Sequence, residues 1–347
     1  MGARKMKLRT TVLQSMVLLA GALNALPAQE FSKAGTTAAQ FLKIPVGAKA
    51  IAMANTFTSV ADDISTMYWN PAGLASLKRV GISVEHSAWI ADMQHNVLGF
   101  VLPLGKESSI GFGVNQLSSG DIETTTIEKP TGTGTFYDAA DMAISVSYAR
   151  YLTDQVSVGV TAKYVNQRIW NTSANSLAFD LGILLHPGWY GMKMGLSFQN
   201  FGPEMTMGGS DLIRTVDQDP NSEINPAVEA SLKTQPYSLP MNYRLSMSMP
   251  IMGKGAPIDD SHSSFLVAID AVHPNDNPEH YSIGAEYGFQ ETLFVRGGYV
   301  YNTSEQGLTV GGGLVMSLGA SSITLDYAYA AFGIFPAVHV FSLGLRL

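Results

Sequence analysis

The chain has 347 residues, a formal charge of −7, 14% charged residues, 34 glycines and no cysteine. Without Cys there are no disulfides, no thiolate catalysis and no Cys-ligated metals. The acidic balance argues against nucleic acid as a partner, since phosphate binding needs clustered Lys and Arg.

The first residues read as an export signal. Arg4, Lys5, Lys7 and Arg9 form a basic start, Val12 to Leu23 is mostly apolar, and small residues follow at Ala25-Leu26-Pro27-Ala28. These are the three parts of a secretory signal. Cleavage is expected near Ala28, with Ala22 as the alternative, so 1–28 is assigned to the signal. Removing its four bases takes the charge from −7 to −11. No later apolar run reaches the ~20 residues of a spanning helix. Ordinary soluble domains carry ~25% charged residues, well above this chain. An exported, Gly-rich chain with few charges and no membrane helix suggests an outer-membrane β-barrel in a diderm bacterium.

Residues 29–79 precede the first strand-like segment and are expected to form a hatch, or plug. Ala48 to Ala54 is small and apolar. In Asn70-Pro71-Ala72-Gly73, Asn70 can cap a helix by accepting from exposed N–H groups, and Pro71 suits the first helical position. One or two helical turns over Ala72–Leu77 follow. Asp62 and Asp63 sit in a turn before them and read as solvated or capping acids, not as a catalytic or metal dyad. Tyr68 and Trp69 read as packing against a barrel wall.

From Val80 the chain alternates apolar and polar residues in segments of about ten, the pattern of a transmembrane barrel. In the last segment Phe341, Leu343, Leu345 and Leu347 alternate with Ser342, Gly344 and Arg346. Ile323–Tyr329, Leu308–Leu318 and Val156–Tyr164 repeat the pattern. Period 2 excludes an amphipathic helix. About fourteen antiparallel strands are expected, with cores at 80–89, 95–104, 108–117, 140–151, 155–169, 176–185, 191–201, 238–250, 264–272, 280–289, 293–301, 307–318, 322–331 and 337–347. The fold class is therefore all-β membrane, with the barrel over 80–347.

The connections alternate in length. Gly105–Glu107, Leu152–Asp154, His186–Tyr190, Gln290–Thr292 and Gly319–Ser321 are expected as short periplasmic turns. Ser118–Ala139 and Gly202–Tyr237 are expected as long external loops. Met252–Ser263 is an unusually long connection on the periplasmic side. Lys163, Arg244, Arg296 and Arg346 fall on lumen faces, as do Asp180, Asp270, Glu286 and Asp326. An ion-selective pore favours one sign. A balanced set suggests ion pairs across the lumen, hence a filled or narrow interior. Trp89, Trp170, Tyr151, Trp189 and Tyr190 are placed for an interfacial girdle.

The stretch AKAIAMANTFTSVADDISTMYWNPAGLA, Ala48 to Ala75, resembles the N-terminal signature of the PorV/PorQ family of outer-membrane proteins. These are relatives of the FadL-type fatty-acid transporters, which share an Asn-Pro-Ala motif in a hatch. This chain has Ala54-Asn55 where that family usually carries two glycines. The resemblance implies a role in type IX secretion, in which such barrels bind exported cargo and shuttle or anchor it. The implied partners are a secretion-system barrel, a sortase and the C-terminal domains of exported cargo, besides outer-membrane lipid.

Two other classes compete. A FadL-like transporter of hydrophobic compounds would place an apolar pocket near the hatch, lined by residues such as Met53, Phe57 and Tyr68. An outer-membrane enzyme would need a convergent nucleophile, base and oxyanion donors. No G-x-S-x-G elbow or Gly-Lys-Ser/Thr loop occurs, so hydrolase and nucleotide readings have no support. The seven His residues show no HxH or HxxxH spacing, so no zinc site is read. No cofactor is implied. The Ile-Asn-Pro-Ala at Ile224–Ala227 reads as a chance repeat in an external loop.

Overall fold

The computed structural model describes residues 33–217, 228–303 and 306–347. The signal reading of 1–28 and the motif repeat at Ile224–Ala227 lie outside the described residues.

Fourteen strands form one closed antiparallel barrel. They are β1 (Gly81–Ala88), β2 (Gln94–Pro103), β3 (Ser108–Glu123), β4 (Phe136–Thr153), β5 (Val156–Ile169), β6 (Thr172–Leu185) and β7 (Lys193–Phe201). The others are β8 (Asn242–Met252), β9 (Ser263–Pro274), β10 (His280–Phe289), β11 (Leu293–Tyr301), β12 (Leu308–Leu318), β13 (Ser321–Phe332) and β14 (Phe335–Arg346). Each pairs with its neighbour in sequence. β1 closes on β14, from Gly81 opposite Arg346 to Ala88 opposite His339. Closure matters because a free edge exposes unpaired backbone groups, which hydrocarbon does not tolerate.

Alternation along each strand sorts side chains to two faces. In β6, Leu177, Phe179, Leu181 and Ile183 point outward and are exposed, while Ser176, Ala178 and Asp180 are buried. β14 behaves the same way, with Phe341 and Leu343 outward.

The connections differ from expectation in three places. β3 runs on to Glu123 and β4 starts at Phe136, so ten of the 22 residues expected as loop at Ser118–Ala139 belong to a two-stranded extension of the wall. The segment 118–123 has a single large apolar side chain, Ile122, so it carries no period-2 signal. The connection from Gly202 to Met241 contains a hairpin, Ile213–Val216 paired with Val228–Ser231. Thirdly, β5–β6 and β13–β14 turn tightly at the same end of the barrel as the long connections. The connection between β8 and β9 is long, as expected, and folds back through a bridge from Met252 to Ile258.

Residues 33–79 fill the barrel. Short helical pieces lie at Gln40–Lys43, Ala48–Ala52, Thr66–Trp69 and Pro71–Ser76. The segment traverses the lumen lengthwise. Thr37 bridges to Ser238 in the long connection, and Leu77 accepts a hydrogen bond from Ser109 near the opposite end. It packs by apolar contact against inward residues of the wall. Phe41, Leu42 and Ile44 meet Ala143, Val165 and Ala178. Ala48, Ile51 and Ala52 meet Ala328, Ala330 and Val340. Ile64, Met67 and Leu74 meet Val101 and Ala149. A barrel wall has little apolar inner surface of its own, so these clusters are where the hydrophobic effect holds the interior together.

Candidate functional site

The hatch rests on glycines. A Cβ on Gly159 would overlap the backbone of Pro71 and Ala72, and one on Gly195 would overlap the Thr58 carbonyl. On Gly284 it would overlap the Met53 carbonyl, and on Gly298 it would lie 2.7 Å from the Ala54 Cβ. Wall and hatch backbone thus touch directly along β5–β7 and β10–β12. Any side chain at these points would have to push the hatch away.

The Asn70 motif sits on this track. The Asn70 carboxamide oxygen accepts from the Ala72 N–H at 3.2 Å, and Pro71 occupies the first position of the following turn. That turn is a 3-10 helix over Pro71–Ser76. The Asn70 amide nitrogen donates to Thr58 O at 2.8 Å and to Ile183 O of β6 at 3.1 Å. Gly73 has no space for a side chain, because a Cβ would strike Thr66 and lie 2.7 Å from the Ala61 Cβ. Trp69 is buried, donates from Nε1 to Val46 O at 2.7 Å, and stacks under the Arg244 guanidinium at 4.8 Å.

Opposite the glycine track the hatch stands off the wall and leaves a cavity of about 310 Å³. Its hatch side carries Leu42, Val46, Ile64, Met67 and Tyr68; its wall side carries Ser83, Gly99, Gly113, Ser145, Ser342 and Gly344. The small inward residues of β1–β4 and β14 create this space. Charged groups also face it: Lys49, Asp62, Asp63, Glu85, Lys163, Glu286, Arg296, Asp326 and Arg346.

These charges are ordered along the wall. Arg296 on β11 donates to Glu286 on β10 and to Asp326 on β13, each at 2.6 Å. It crosses β12 over Gly313, whose missing side chain gives it passage. Lys163 pairs with Asp180 of the next strand at 2.6 Å. Asp270 accepts from Ser246 and from the Thr58 N–H of the hatch. Arg346 donates to Asp62 O at 3.1 Å. The interior is filled, as the balanced charges suggest, but the pairs do not cross the lumen: they join strands one or two apart, or wall and hatch, because the hatch occupies the middle. Lys49 of the hatch bridges Asp62 at 2.8 Å and Glu286 at 3.4 Å. Burial alone would lower Lys49, but the carboxylates of Asp62 and Glu286 outweigh it and hold its pKa above the usual lysine value. Burial raises the Asp63 carboxyl, and the adjacent Asp62 charge adds to this. Asp63 accepts from the Ser65 N–H and hydroxyl, at 2.7 and 2.6 Å.

A family model described as "Uncharacterised protein family (UPF0164)" matches residues 15–175, which include the described hatch and β1–β5. The comparison with curated proteins returns no match. Among solved structures, the CymD monoaromatic hydrocarbon channel aligns with a TM-score of 0.56 and 12% identity, over 87% of this chain and 97% of that one. The P. putida toluene transporter TodX aligns with a TM-score of 0.56 and 11% identity, over 87% and 98%. The chain shares the barrel fold of these two proteins. At these identities the likeness concerns the chain path alone.

Within the barrel the residues expected at a ligand pocket separate. Tyr68 lines the cavity, its hydroxyl donating to Ile44 O at 2.6 Å. Met53 and Phe57 do not. They are fully buried in a cluster with Val60, Trp69 and Ala268, on the side where the hatch is pressed to the wall. Trp170, Trp189 and Tyr190 are exposed where a girdle would be. Trp89 and Tyr151 instead turn onto the hatch clusters. Two residues with no earlier role stand out. Asp276, in the connection after β9, accepts from Thr37, Gln40 and Lys43 of the hatch at 2.6–3.1 Å. Glu85, on β1, accepts from the Gly47 N–H at 2.6 Å and from Ser342 at 3.0 Å. The alternation of Ser83, Glu85 and Ser87 with Val84 and His86 is the signal that could have placed Glu85 inside.

Proposed function

We propose that the protein is an outer-membrane channel for small hydrophobic compounds. In this reading the hatch closes the lumen and the cavity beside it holds the compound in transit. The observation that carries it is the cavity itself. It is bounded by Leu42, Val46, Ile64 and Met67 on a hatch that is otherwise pressed to the wall, and its volume falls in the range of small-ligand sites, about 300–1,000 Å³. The fold likeness to a monoaromatic hydrocarbon channel and a toluene transporter supports the same reading. The test is uptake of a labelled monoaromatic hydrocarbon by cells carrying the protein, compared with cells carrying Gly99→Leu. A Cβ at Gly99 would lie 2.7 Å from Ile64, so the larger side chain fills the cavity from the wall. Uptake should fall to the level of cells without the protein. Equal uptake by both forms would rule the cavity out as the route.

A second reading has one observation in its favour. The Gly202–Tyr237 connection presents a hairpin with Ile213, Val216 and Val228 exposed, which suits docking of another protein at the barrel end. Together with the PorV/PorQ-like Ala48–Ala75 stretch, this fits cargo binding in type IX secretion. Affinity purification from native outer membrane separates the two. A large barrel, a sortase or proteins sharing one C-terminal domain would favour docking. The barrel alone, with a hydrophobic compound bound, would favour the channel.

A further inference from the structure

The charges around the cavity do not cancel, and the excess is localised. Lys49 and Arg296 are paired with Asp62, Glu286 and Asp326, and Arg346 donates to the main-chain carbonyl of Asp62. Lys163 is matched by Asp180. Lys193, near Asp62, lies outside the cavity lining and donates to Val60 O at 3.1 Å. Glu85 and Asp63 remain. Neither has a cation within 4.0 Å among the described residues.

The two carboxylates belong to one corner of the cavity. Gly47 joins them. Its N–H donates to Glu85, and its Cα faces Ser65 so closely that a Cβ would lie 2.7 Å from the Ser65 hydroxyl. Ser65 in turn donates to Asp63. Glu85 is only 8% exposed, and its second oxygen, Oε1, has no hydrogen-bond partner in the protein. Buried polar atoms are nearly always paired, and a buried carboxylate without a counter-charge is costly. A group that supplies donors and positive charge would satisfy both residues. The apolar face of Leu42, Val46 and Met67 borders the same space.

We infer that the cavity takes an amphipathic amine, with its ammonium group at Glu85 and Asp63 and its apolar part along Leu42, Val46 and Met67. This inference rests on the channel reading and names its substrate class. An ammonium–carboxylate contact of this kind is a charge-assisted hydrogen bond, stronger than a neutral one. An alcohol of equal length would keep the apolar contact and lose the charge. A fatty acid would bring a third carboxylate into the corner.

The test uses the full-length protein in lipid nanodiscs, with empty nanodiscs as the partitioning control. Binding of n-octylamine, n-octanol and octanoate is measured near neutral pH, where an alkylamine is protonated. Octylamine should bind roughly tenfold or more tighter than octanol, and octanoate weakest. Glu85→Gln keeps an oxygen for Gly47 and Ser342 but removes the charge, and Asp63→Asn does the same for Ser65. Each should bring octylamine down towards octanol while octanol binding stays, which a misfolded variant would not do. Equal affinities for amine, alcohol and acid would overturn the inference and leave the channel reading standing. An unchanged amine preference in Glu85→Gln and Asp63→Asn would also overturn it. Failure of all three compounds to bind would overturn both.

Discussion

Asn70 and Gly182 meet where a methyl group has no room: a Cβ on Gly182 would overlap the Asn70 carboxamide oxygen. Gly182 is on β6 and Asn70 ends a helical turn of the hatch, so the pair records how closely wall and hatch backbones approach. Gly182→Ala should lift the Asn70 turn off the wall. Overpacking of this kind costs typically 1–3 kcal/mol. Limited proteolysis in detergent should then cut within residues 58–77 at protease levels that leave the native protein whole. Unchanged resistance would mean the hatch has slack at this point.

Asn70→Ala removes more than a cap. The lost acceptor for Ala72 N–H costs about 1 kcal/mol. The lost donors leave the Thr58 carbonyl short of a partner in a buried site, which adds roughly 1–3 kcal/mol. The same proteolysis should show a larger effect than loss of a helix cap alone. Asn70→Asp keeps the acceptor but sets a buried carboxyl oxygen against the Thr58 and Ile183 carbonyls, so an effect at least as large is expected.

Arg296 is 4% exposed and holds two carboxylates on two strands. Arg296→Ala leaves Glu286 and Asp326 buried without it, a change that costs roughly 3–5 kcal/mol. The barrel should lose its compact form on heating at a lower temperature, read by gel mobility of unboiled samples. The double variant Arg296→Met with Asp326→Asn should recover part of the loss. No shift in either would show that the ion pairs contribute nothing net.

The Asp276 contact is acid-sensitive. Burial would raise the Asp276 carboxyl, but hydrogen bonds from Gln40, Thr37 and Lys43 outweigh it and hold its pKa below the usual carboxylate range. A depressed acid contributes stability that is present above its unfolded pKa, about 3.9, and is lost as pH falls through the folded value. Amide protection factors in residues 37–44, corrected for the intrinsic exchange rate at each pH, should therefore fall below about pH 4 in the native protein. In Asp276→Asn they should already be low at neutral pH and change little with acid. Exchange that stays slow in Asp276→Asn would assign the anchoring of this segment to Phe41 and Leu42 instead.

The strands were readable because hydrocarbon and hatch place opposite demands on the two faces. Leu177, Phe179 and Leu181 could not trade places with Ser176, Ala178 and Asp180 without a register slip. Where the wall leaves that environment the signal ends, which is why the sequence of β3 beyond Ser118 reads as loop. The Asn70 cap was legible because it is local. Its bonds to Thr58 and Ile183 were not, since they join residues 12 and 113 positions apart. Ala54 and Asn55 stand where the resembling family carries two glycines, and both adopt left-handed backbone, with φ of 55° and 65°. Ala54 bears strain in this conformation, which glycine would adopt freely. Met53 and Phe57 were placed at a pocket by proximity to the motif. Only the packing shows which side of the hatch is pressed to the wall.

The glycines under the hatch also bear on how such a chain can change over time. Gly159, Gly195 and Gly284 leave no side chain through which one surface could yield to the other. A substitution there survives only alongside a matching retreat of Pro71, Thr58 or Met53. Drift on that half of the barrel must proceed by paired steps. On the β1–β4 half the hatch is met only through side-chain tips, Ile64 and Met67 over Gly99 and Gly113, so either partner can yield alone and that half can vary one residue at a time.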